Sequence, residues 1–121
     1  MLAELVDIQD KDRYECLVGK YEIGHSQMTI LARKLSSTTR SNYYVIFEDV
    51  RYFSGPFRWM GFEFSIGTRE ECKQILVRTK LYSADPSLLE KTSMKLFKVN
   101  LGEEVVKIIA GDVRIQRDDS R

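Results

Sequence analysis

The chain has 121 residues, 43% hydrophobic, 31% charged and 11% aromatic, with 19 Lys and Arg against 18 Asp and Glu for a net charge of +1. This is one ordinary domain with apolar residues enough for its own core, and it excludes disordered, collagen-like, coiled-coil and disulfide-scaffold classes. Split at residue 60, the halves carry 8 basic against 8 acidic and 11 against 10, so nucleic acid and anionic membranes are disfavoured as partners.

Residues 1–8 lack the basic and apolar regions of a secretory signal, and no run approaches the ~18 apolar residues of a membrane span. Cys16 and Cys72 are the two cysteines, 56 residues apart and outside any metal-type spacing. Two reduced thiols in a cytoplasmic protein are expected. The chain reads as a single domain over 1–121, with 1–13 and 117–121 as loosely held ends.

From Tyr14 the pattern becomes sheet-like. Tyr14, Cys16 and Val18 alternate with Glu15 and Leu17, predicting a strand over 14–23. Gly24-His25-Ser26 reads as a turn, and 27–35 as the return strand with Met28, Ile30 and Ala32 on one face. The polar run 36–42 is a loop. Residues 42–53 form the densest aromatic and β-branched run, apolar on both faces, predicting one strand that is central or covered on each side. Ser54-Gly55-Pro56 punctuates the chain. Residues 59–67 predict a strand with Met60, Phe62, Phe64 and Ile66 inward.

Thr68-Arg69-Glu70-Glu71 matches a capping box, and Cys72, Ile75, Leu76 and Thr79 follow at helical spacing, predicting a helix over 69–79. Asp85-Pro86 reads as a cap followed by proline at the first helical position, giving a short helix over 86–92. Strands are expected over 94–101 and 104–116, joined by a tight turn at Gly102-Glu103. In the last strand the apolar phase runs Val106, Ile108, Ala110 and then slips to Val113 and Ile115, suggesting a bulge or turn at Gly111-Asp112. Asp112-Val113-Arg114 repeats Asp49-Val50-Arg51. The expected architecture is α+β: an antiparallel sheet or partly open barrel of about six strands with helical cover on one side.

Motifs for chemistry are sparse. His25 is the only histidine, and neither cysteine is placed to pair with it. Zinc, calcium and phosphate-cradle spacings are absent. Adjacent acids such as Glu48-Asp49 point to opposite faces of a strand. No cofactor or metal is expected, and the reading leans away from an enzyme.

Arg51, Tyr52, Phe57, Arg58 and Trp59 concentrate the residue types that dominate interface hot spots, around a Gly55-Pro56 step that restricts the loop. They are the candidate binding residues for a protein partner or for self-association as a homodimer; the competing role is to plug the end of the sheet. The alternative function is a sheet-enclosed pocket for a small apolar or aromatic ligand, behind the Met60 to Ile66 ladder, with an enzymatic duty as its further option.

Overall fold

Apolar alternation slips where a strand bulges or where the chain passes from one sheet to another. A computed structural model of the protein describes residues 11–34, 42–79 and 94–118. After a 3-10 turn at Lys11–Arg13 come β1 (Tyr14–Glu22), a 3-10 turn at Ile23–His25, β2 (Gln27–Lys34), β3 (Asn42–Glu48), β4 (Tyr52–Ser54), β5 (Arg58–Met60) and β6 (Ser65–Ile66). The helix α1 (Arg69–Arg78) follows, then β7 (Lys95–Asn100), β8 (Val105–Ala110) and β9 (Asp112–Asp118). The expected helix over 86–92 lies outside the described residues.

Two antiparallel sheets result, ordered β5-β1-β2-β3-β9 and β4-β8-β7-β6, and they do not close into a barrel. The α+β class is as expected, but the described residues hold nine strands rather than about six. Three of the expected strands divide. Residues 42–53 become β3 and β4, 59–67 become β5 and β6, and 104–116 become β8 and β9, with each pair split between the sheets. The slip at Gly111 is therefore a sheet crossing. It lets Val106, Ile108 and Ala110 face the core from one sheet while Val113 faces it from the other.

The first and third crossings meet. Gly111 donates its N–H to the Glu48 carbonyl at 2.9 Å, and Arg51 donates to the Ile109 carbonyl at 2.7 Å. Asp49 turns the chain there at φ 55°. The repeated Asp-Val-Arg thus marks two strands bending side by side.

The 59–67 ladder needs correction. Trp59 faces inward on β5, so Met60 is 49% exposed, and Ile66 at the end of β6 is 48% exposed. Phe62 and Phe64 do enter the core, from the segment that carries the chain between the sheets. Arg117 and Asp118, expected in the loose tail, continue β9 and pair with Tyr43 and Asn42.

Between the sheets lies the main core, where Phe47, Phe62 and Phe97 are fully buried. Their rings connect: Phe47 lies 5.2 Å from Phe97 and 5.7 Å from Phe64, and Phe62 lies 6.0 Å from Phe64. Each such ring contributes about 1.5–3 kcal/mol by leaving water. Phe62 and Phe64 of the ladder pack into this core, and a cleft of about 460 Å³ lies alongside it, lined by Met60, Phe62, Ser65 and Val99 among others.

The second sheet is apolar on both faces. Leu96 and Ile109 turn away from the other sheet and receive Cys72, Ile75 and Leu76 of α1. The helix is capped as its sequence predicts, with Thr68 Oγ1 accepting from the Glu71 N–H at 3.1 Å and Glu71 Oε1 accepting from the Thr68 N–H at 3.0 Å. Glu71 Oε2 also accepts from Lys98 Nζ at 2.9 Å, tying α1 to β7.

Candidate binding cleft

An irregularity in β1 opens the site. Val18 pairs with Ile30 but Lys20 pairs with Thr29, so one extra residue is inserted at Gly19. Without it Lys20 and Glu22 would continue the inward phase of Tyr14, Cys16 and Val18. With it the phase reverses, and Tyr21 stands opposite Met28 on the inward side, near the end of the sandwich. A bulge also bends its strand.

The other wall comes from the chain leaving the sheet crossing. Val50 donates its N–H to the Ser26 carbonyl at 2.8 Å, holding the β1–β2 turn against the crossing. Val18 donates to the Phe57 carbonyl at 2.8 Å, joining the β4–β5 connection to β1. Between these ties lies a cleft of about 270 Å³. Val18, Tyr21 and Met28 line it from the first hairpin; Val50, Arg51, Tyr52, Phe53 and Phe57 line it from the second segment.

Phe57 is 76% exposed, Tyr21 50% and Ile23 82%. The Phe57 backbone is nonetheless held, its carbonyl accepting from Val18, and it follows Pro56, whose ring locks its own φ. Arg51 is the charged group that the described lining residues bring to the cleft. Its Nε lies 3.0 Å from Asp49 Oδ1, which orients the guanidinium at the rim. On the opposite face of β1 from Tyr21, Lys20 Nζ lies 2.8 Å from Glu22 Oε1, and this contact holds the Glu22 carboxyl below its ordinary range.

Of the five residues picked out in the sequence, the fold brings together Arg51, Tyr52 and Phe57. Arg58 lies elsewhere, on the outer face of the first sheet, where its Nε is 3.3 Å from Glu15 Oε2. Glu15 also receives Arg33 at 2.7 Å. Trp59 is 5% exposed in the intersheet core, and its Nε1–H donates to the Gly61 carbonyl at 2.9 Å. The plug role thus falls to Trp59, while Phe57 beside it stands in solvent. Sequence reading missed Val18, Tyr21 and Met28 as cleft residues. The available signal was a phase slip at Gly19, like that at Gly111.

The chemistry on offer is recognition by apolar contact and one oriented cation. Both cysteines are free and buried. Burial, assisted by the neighbouring Glu15 charge, pushes the Cys16 thiol up to about 12, and burial raises Cys72 as well. A thiol so raised is not a nucleophile at neutral pH. Among the described residues no three His, Cys, Asp or Glu side chains gather as a metal site requires, and no helix is long and apolar enough to cross a membrane.

These features define an α+β domain of two packed antiparallel sheets with one covering helix and an aromatic cleft at a sheet crossing. Comparison with protein-family models, curated proteins and solved structures finds no match.

Proposed function

We propose that the chain is a small non-enzymatic binding domain that engages a protein partner through the face around Phe57. The observation that carries this reading is an aromatic side chain, 76% exposed on a backbone hydrogen-bonded to β1, at the mouth of an apolar cleft. An aromatic ring left in water gains about 1.5–3 kcal/mol when covered, and a hydrogen-bonded backbone limits the ordering lost on binding. Arg51 and Tyr52 add the hydrogen-bonding and stacking groups typical of interface anchors. In this reading Trp59 supports the loop from within, and Arg58 serves the outer sheet face. The domain acts inside the cell; two free thiols buried in separate clusters suit a reducing compartment.

Panning the chain against displayed random peptides tests the proposal. Aromatic-containing peptides are expected, with affinity at least ~10-fold weaker for Phe57→Ala and an unchanged unfolding midpoint. Peptides that bind Phe57→Ala as well as wild type would contradict it, as would the absence of any selected peptide for a chain that is also monomeric.

A further inference from the structure

We infer that the partner seated on this cleft is a second copy of the same chain, each copy placing its Phe57 ring in the other's cleft across a two-fold axis. The inference rests on the reading of the face as protein-binding and names its occupant. A two-fold interface requires one surface to carry both halves of a complementary pair, because residue i meets j and j meets i. This face carries both. Phe57 projects from a backbone already hydrogen-bonded to Val18, and beside it lies a hollow of about 270 Å³ with walls from Val18, Met28 and Phe53. That volume is ample for one aromatic side chain.

Charge also favours a second copy. The rim carries a cation and an anion side by side, Arg51 and Asp49, each with a half-exposed side chain. Two such faces meet without net like charge, whereas a single-sign patch would repel itself. A strongly acidic or basic partner finds no complementary field here. Tyr21 and Ile23, 50% and 82% exposed, extend the apolar area to be covered around the exchanged rings.

Sedimentation equilibrium on the full chain tests the inference, using wild type, Phe57→Glu and Tyr21→Ala, with unfolding midpoints recorded for each. Wild type is expected to dimerise with a dissociation constant of roughly 1–100 μM, as a small interface does. Phe57→Glu should weaken dimerisation at least ~100-fold and Tyr21→Ala about 10-fold, both with wild-type midpoints. A wild type that stays monomeric at several hundred μM, or a dimer that Phe57→Glu leaves intact, would overturn it. The broader reading is judged separately. A monomer that binds a selected peptide through Phe57 keeps the binding function and loses only the second copy; a monomer that binds none loses both.

Discussion

Phe57 and Trp59 stand two positions apart and show how little residue type alone decides. Both are large aromatics after the Gly55-Pro56 step, yet one is 76% and the other 5% exposed. The difference is backbone geometry. β5 pairs with β1 so that Cys16 and Trp59 are partners facing the core, while Phe57 precedes the strand. The energetic consequences diverge accordingly. Trp59→Ala should lower stability by about 3–5 kcal/mol, as a buried aromatic truncation does. Phe57→Ala should stay within about 0.5 kcal/mol of wild type. Urea unfolding of the two variants checks this, and equal losses would return Phe57 to the core. Gly55 makes a third case. At φ +151° with Val106 Cγ2 at 3.2 Å from any added Cβ, Gly55→Ala should cost more than about 1 kcal/mol, and it should weaken partner binding by displacing Phe57.

At the scale of elements, α1 was fully legible because its information is local. A capping box, an i, i+3, i+4 stripe and a following sheet with a second apolar face all agree. Thr68→Ala should cost about 1 kcal/mol. Glu71 adds a pH signature. The Thr68 backbone N–H and the Lys98 ammonium hold its carboxyl at about 2, against an ordinary 4.5. A carboxyl lowered on folding stabilises above its unfolded value, and that contribution disappears as pH falls through the folded one. The stability difference between wild type and Glu71→Gln should therefore be constant above about pH 5.5 and shrink between about 4.5 and 2. A difference independent of pH would show that Glu71 acts through its shape alone.

Strand boundaries were less legible, for a physical reason. Periodicity reports which face is apolar, not which sheet supplies the hydrogen bonds. The 14–23 and 27–35 strands stay in one sheet, and their alternation located them well. The run 42–53 reads as one strand because β3 is covered on its inner face and β4 on both, by the core and by α1. Nothing in Val50 or Arg51 announces that pairing passes from β9 to β8. The two places where sequence did hint at a departure, Gly19 and Gly111, are single-residue slips next to glycine, and only the second was read. The cleft depends on the first.

For the whole molecule, the layered arrangement gives two cores separated by the second sheet. Cys16 belongs to the larger, between the sheets, and Cys72 to the smaller, under α1. Regions with fewer buried contacts open at lower free energy. A thiol reagent in mild urea should therefore modify Cys72 before Cys16, and simultaneous modification would mean that helix and sandwich open as one unit. The cleft sits at the other end of this hierarchy, tied by Val18, Val50 and the Gly111–Glu48 contact to the body of both sheets.

The most direct test of the central claim is amide chemical-shift mapping on the full chain, over a dilution series and with a selected aromatic peptide. The account predicts shifts concentrated at Val18, Tyr21, Ile23 and the stretch from Val50 to Phe57, following the same pattern in both experiments. Shifts centred instead on the outer face of the first sheet, at Leu17, Leu31 and Tyr44, would contradict it and move the interaction surface to the opposite side of the domain.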